Sequence, residues 1–251
     1  MRLGRPPASP LGLRRFWFAL VLLAAMSGAV RAQSDESAKV ERPTIAHTHD
    51  EEIAALRPLL IGKSHLDEAR RKLAVQLAQM RRGADRPGPL VADNALVVRD
   101  FVGDVQVIYA MVFREDTQLV SWGTMKTWGM DLDRLHQRAL ANLAAREEDI
   151  RIKPVGKLPW LNVIDGGDGN DGDDAASRVL LYWRWSELSL RLGEPLVLGM
   201  PTRDVVVFTS TPEPEKIAQM RETVATIEAH QGRPISRKLF LWTPHGWREY
   251  E

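Results

Sequence analysis

Asp165-Gly-Gly-Asp-Gly-Asn-Asp-Gly-Asp-Asp174 leads into Ala175-Ala-Ser-Arg-Val-Leu-Leu-Tyr-Trp-Arg-Trp-Ser-Glu-Leu-Ser-Leu-Arg-Leu192, and Pro195-Leu-Val-Leu-Gly-Met-Pro-Thr-Arg-Asp-Val-Val-Val-Phe-Thr-Ser210 follows. The first piece is an acid-and-glycine loop. The second is apolar on most sides of a helical wheel, through Val179, Leu180, Leu181, Tyr182, Trp183, Trp185, Leu188, Leu190 and Leu192. It predicts one helix that is buried or packed between two layers, with Gly193 as its stop. The third reads as two valine-rich strands around a polar turn, Thr202-Arg203-Asp204.

The same grammar extends outward in both directions. Ser64 opens a predicted helix with Leu66, Ala69, Leu73, Leu77 and Met80 on one face and Gly83 as its end. Arg70, Arg71, Lys72, Arg81 and Arg82 form its basic face, which reads as a solvated surface. Ala95–Val98, Asp104–Phe113 and Thr117–Ser121 read as strands, with Val102-Gly103 as a turn or bulge. Trp122–Gly129 reads as a helical turn burying Met125 and Trp128. Asp131 caps a helix to about Glu147 with Leu132, Leu135, Ala139 and Leu143 inward. Strands are expected at Ile150–Val155 and Trp160–Ile164. After the hairpin, Thr211-Pro212 opens a helix with Ile217, Met220, Val224 and Ile227 on one stripe. Lys238–Trp242 and Trp247–Tyr250 form a closing hairpin. Hairpins separated by helices give an α+β fold with antiparallel sheet. Helix, hairpin, helix occurs at 64–147 and again at 175–230, which raises the idea of two similar halves.

The chain has 251 residues, and the first 32 read as a secretory signal. Arg2, Arg5, Arg14 and Arg15 precede the apolar Phe16–Ala25, and Val30-Arg-Ala32 predicts cleavage before Gln33. The rival reading is a retained anchor, but the apolar run from Phe16 to Val30 is shorter than the roughly 20 residues a span needs. Arg14-Arg15 hints at twin-arginine export. Residues 1–32 hold five arginines and no acid, so the mature chain carries 29 basic against 33 acidic side chains, a net charge of −4. That balance gives no electrostatic basis for binding nucleic acid or anionic lipid. The absence of cysteine excludes disulfides, thiol catalysis and cysteine zinc sites. Residues 33–62 are expected to be a flexible tail and connecting segment, with a short helix from Asp50 to Arg57 stopped by Pro58 and an extended Leu59–Ile61. The single domain is then placed at 63–251.

Three motifs bear on chemistry. Gly166–Asp171 fits the first six positions of a calcium-binding nonapeptide, but only one copy is present and Asp173 takes the apolar position. The EF-hand ligand pattern fails in every register. Asp168, Asp171 and Asp173 are the candidate metal ligands should calcium be held. The loop otherwise reads as a solvent-facing connector whose last aspartates cap the following helix. His47-Thr-His49 has metal-ligand spacing, but none of His65, His136, His230 or His245 stands in a ligand motif. Thr202, Arg203 and Asp204 are the candidate ligand-binding residues: Asp204 bonds the turn backbone, and Arg203 at a sheet end suits an anion. There is no nucleophile elbow, phosphate loop or dinucleotide fingerprint. Trp183 and Trp185 could line a groove or belong to the core.

Pro89-Leu-Val-Ala-Asp93, Trp128-Gly-Met-Asp-Leu132 with Ala141-Asn-Leu143, Ala175-Ala-Ser-Arg-Val-Leu-Leu181, Met200-Pro-Thr-Arg-Asp-Val205 and Ile235-Ser-Arg-Lys-Leu-Phe240 occur in order. Together they resemble the bacterial domain-of-unknown-function family typified by YtpQ, over residues 88–251. The resemblance implies a single α+β domain and no known cofactor. The expected function is a non-enzymatic binding or interaction domain in the periplasm or outside the cell, with an unknown protein or small ligand as partner. The alternative is a hydrolase-type enzyme with a carboxylate-rich site that takes a divalent cation.

Overall fold

Two antiparallel sheets contribute to one shared apolar core, and each carries a long helix on its other face. The computed structural model describes residues 47–81, 93–114, 116–146, 152–165, 175–193 and 195–251, all within one unit, Ala46–Glu251. The acidic loop, with Asp168, Asp171 and Asp173, and the helix stop expected at Gly83 lie outside the described residues.

The first sheet is built from β1 (Leu56–Gly62), β3 (Val105–Val112) and β2 (Val98–Val102) in the order β1-β3-β2, with β4 (Thr117–Leu119) also pairing β3. β1 contains the Leu59–Ile61 expected to be extended and corrects the expectation that this part is a connector outside the domain; the tail expected before residue 47 lies outside the described residues. Every rung from Leu56↔Met111 to Gly62↔Val105 is paired. Pro58 is not a helix stop but part of this strand, which is possible because β1 pairs on one side only, where a missing N–H is tolerated. The preceding helix, α1 (His49–Ala55), is tied down by a capping box between Thr48 and Glu51 and by Asn142 Nδ2, which donates to the carbonyls of Ile53 at 2.7 Å and Leu56 at 2.9 Å.

α2 (Lys63–Arg81) lies on the outer face of this sheet through Leu66, Ala69 and Leu73. It starts one residue before Ser64, whose hydroxyl bonds His65 Nδ1 at 2.9 Å. Arg70, Arg71 and Lys72 on the basic face of α2 are exposed, with Arg70 paired to Asp67 and Lys72 to Glu68. α3 (Trp122–Thr127) buries Met125 as expected. α4 (Leu132–Ala145) is capped by the Asp131 carboxylate, which accepts from Arg134 N at 2.8 Å, and buries Leu135 and Ala139.

The second sheet has six strands in the order β10-β9-β7-β8-β6-β5: β5 (Ile152–Val155), β6 (Leu158–Asp165), β7 (Val197–Thr202), β8 (Val205–Thr209), β9 (Leu239–Thr243) and β10 (Gly246–Tyr250). α6 (Pro214–His230) covers its outer face through Ile217, Met220 and Val224. The two sheets differ in strand number, and no two-half symmetry is shown. Among the described residues no helix is long and apolar enough to cross a membrane.

The single helix expected from Ala175 to Leu192 is two elements. Ala175–Leu180 is a 3-10 helix buried at every residue, and α5 (Tyr182–Leu192) follows after a break at Leu181, where ψ is 72°. The break has a local cause. The Arg178 carbonyl accepts both from Leu181 N, at 3.1 Å, and from Trp185 Nε1, at 3.1 Å, which turns the chain before an α-helical ladder can form. The all-round burial thus belongs to the first seven residues, Ser177 and Arg178 included, and α5 is one-sided. Gly193 ends α5 in the left-handed region at φ 67°, where glycine carries no side-chain penalty.

Candidate functional site

α5 is the element where chemistry and exposure meet. Trp185 and Leu188 turn inward. Trp185 is edge-on to Phe208, with ring centres 5.7 Å apart, and to Trp247 at 5.1 Å; Trp247 meets Trp242 at 5.0 Å, and Trp242 meets Tyr182 at 5.4 Å. This aromatic row fixes the helix rigidly. The opposite side leaves Trp183 51% and Leu190 83% exposed. They are seven residues apart, two helical turns on one face. The Arg184 guanidinium lies 4.4 Å from the centre of the Trp183 ring.

Beside this face a cleft of about 250 Å³ opens between α5 and the β5–β6 edge of the second sheet. Its walls are Ile152, Ile164, Trp185 and Leu188, with Arg184, Glu187 and Arg191 at the polar side. Glu187 and Arg191 are one turn apart and make no ion pair among the described residues. The cleft therefore offers an apolar floor with charged groups along one wall.

A second cluster lies in the inner layer. Tyr109 Oη bonds His136 Nδ1 at 3.0 Å, with the rings edge-on at 6.0 Å. Nearby, Arg99 pairs with Asp133 at 2.7 Å. Burial pushes the Tyr109 phenol well above its usual range, so it stays neutral. Burial also holds the His136 imidazole below its ordinary value; Arg99 adds to that effect and Asp133 opposes it. His136 is thus a neutral base whose Nε2 has no protein partner among the described residues. Its distance in sequence from Tyr109 hides the pair. The Asp133-x-x-His136 spacing on one helix face was the available signal.

The residues singled out from sequence behave mostly as structure. Thr202 is fully buried and reaches Gln231 Oε1 at 3.5 Å. The Arg203 backbone N–H donates to the Arg233 carbonyl at 3.1 Å, and its own carbonyl accepts from Ala176 N at 3.0 Å. Asp204 faces Arg233 at 3.8 Å. The turn staples the hairpin to the 3-10 helix and to the strand-like segment at Pro234. His47 stacks on Phe113 at 3.6 Å, while His49 meets the Trp128 edge at 6.2 Å. Among the described residues no three His, Asp or Glu side chains are grouped to hold a metal ion. The cleft residues were missed because the segment reads as apolar on most sides and therefore as buried, and nothing in the sequence brings Ile152 to its arginines.

No protein-family model, curated protein or solved structure matches the chain.

Proposed function

We propose that this protein is an exported binding domain that holds a partner protein on the outer face of α5 and in the adjoining cleft. Kinship with the YtpQ-type family is part of the same proposal. The supporting observation is the pairing of Trp183 and Leu190, both largely exposed, on a helix whose other side is locked by a row of five aromatic rings. A rigid helix carrying an exposed tryptophan beside an arginine fits the composition of an interface centre. The cleft floor then receives an apolar side chain of the partner, and Arg184 and Arg191 suit its carboxylates.

The test places a photo-crosslinking residue at Leu190 and, separately, at Arg71 on the solvated face of α2, in the cells that make the protein. The expected result is an adduct of discrete mass from position 190 only, lost when Trp183→Ala is added. Equal adduct patterns from both positions, or none from position 190, would reject the proposal.

A further inference from the structure

Arg57 lies on β1, and strand alternation puts it on the same face as Leu59 and Ile61, beneath α2. It is 5% exposed. Its Nη2 is buried without a hydrogen-bond partner, and among the described residues the guanidinium makes no ion pair. A guanidinium does not deprotonate, so the charge stays, and among the described residues no hydrogen bond to Nη2 offsets its desolvation.

The second orphan faces the same layer. Gln76 stands three residues beyond Leu73 and seven beyond Ala69, on the underside of α2. Its Nε2 donates to the Thr117 carbonyl at 3.1 Å, which fixes the amide orientation and leaves Oε1 buried and unbonded. Thr117 pairs with Val112, two rungs along β3 from Ala110, the partner of Arg57. A charged donor and a neutral acceptor are therefore both unsatisfied at one end of one helix-on-sheet layer. Thr117 is exposed and Gln76 half-buried, so among the described residues solvent comes nearest to this end at β4, while the two orphaned atoms themselves are buried.

Satisfying both atoms takes a group with an anionic oxygen for Nη2 and an O–H for Oε1. Water supplies the hydrogen bonds without the charge. Sulfate and carboxylate supply the charge, but at neutral pH they have no O–H and would set a negative oxygen against Oε1. Hydrogen phosphate and phosphate monoester monoanions supply both. We propose that Arg57 and Gln76 form a binding site for a protonated phosphate group at the β4 end of the α2 layer, separate from the α5 cleft.

Thermal unfolding at pH 6.5 and fixed ionic strength tests this, with inorganic phosphate, methyl phosphate and sulfate titrated against chloride. Phosphate should raise the Tm along a saturating curve, as mass action requires, and sulfate should raise it less at every concentration. Arg57→Met should abolish the response. Gln76→Glu places a carboxylate on the layer, so it should raise the Tm without phosphate and also abolish the response. That variant keeps the test decisive if the methionine variant does not fold. A stronger response to methyl phosphate identifies an esterified ligand, and a stronger one to inorganic phosphate identifies the free ion. Equal shifts with sulfate, a response retained in either variant, or no response at millimolar phosphate overturns the proposal.

Discussion

The two outer layers, α2 on the first sheet and α6 on the second, look alike and are built to different standards. Under α6 an apolar set, Leu161, Val197, Val207 and Leu239 of the sheet, meets Ile217, Met220 and Val224 of the helix, and the buried Thr209 at the end of β8 is satisfied by donating to the Trp160 carbonyl at 2.9 Å. Contact is so close that a Cβ on Gly199 would sit 2.6 Å from Val224 Cγ2 and 3.2 Å from Leu239 Cδ2. Under α2 the apolar set of Leu59, Leu66, Ala69 and Leu73 shares its layer with the orphaned Arg57 and Gln76. A protein interior normally satisfies its polar groups or omits them. The difference assigns stability to the α6 layer and leaves the α2 layer as the place where something else is held.

The difference should be measurable as unequal costs of truncation. Met220→Ala removes a fully buried side chain from the tight layer and should cost toward the upper part of the about 2–5 kcal/mol range for such changes. Leu73→Ala in the α2 layer should fall toward the lower part, because a layer that already contains polar atoms admits water into the space. Urea unfolding of the two variants gives both numbers, and a reversed order would break the comparison. The converse change is smaller. Gly199→Ala overpacks the α6 layer and should destabilise by about 1–3 kcal/mol. Because the nearest atom is a Val224 methyl, Val224→Ala should recover part of that loss, so the pair should be non-additive in a double-mutant cycle. Additivity would mean that the helix shifts as a body and that the layer is looser than its distances imply.

What was legible in the sequence follows the range of the physics. The stripe of Ile217, Met220 and Val224 and the hairpin around Arg203-Asp204 are local patterns, and they appear where periodicity puts them. Only Leu59–Ile61 of β1 was legible as extended; its start was hidden by Pro58, because a proline signals a break unless one knows that the strand lies at an edge, and edges are a tertiary fact. The division at Leu181 was hidden for a similar reason. Apolar residues on every side describe a buried segment without saying whether it is one helix, and the bond from Trp185 Nε1 to the Arg178 carbonyl is visible only in three dimensions. The candidate sites are least legible of all. Arg57 and Gln76 are ordinary in sequence, and only their shared layer and the lack of partners make them informative. Trp183 and Trp185 look equivalent in sequence, yet α5 turns one outward and one into the core.

The smallest expected effect separates the inner layer from the outer two. Arg57 keeps its charge at every accessible pH, so it contributes no slope to stability near neutrality. The inner layer does, through His136. Its folded pKa is depressed, chiefly by burial and then by Arg99, so the unfolded chain binds the proton more readily. Stability is then full above the unfolded value of about 6.5 and is lost as the pH falls below it toward the folded value. The Tm should fall between pH 7.5 and about pH 5.5, before the carboxylates titrate. His136→Gln can keep a bond to Tyr109 Oη without a titrating group, and it should flatten that part of the profile while leaving the Tm at pH 7.5 little changed. The opposing Asp133 gives a sign check. Asp133→Asn removes the one influence that raises the His136 pKa, so it should steepen the loss. A profile unchanged by His136→Gln would show that the imidazole is solvated in both states, and the contrast between a polar inner pair that titrates and an outer arginine that does not would collapse.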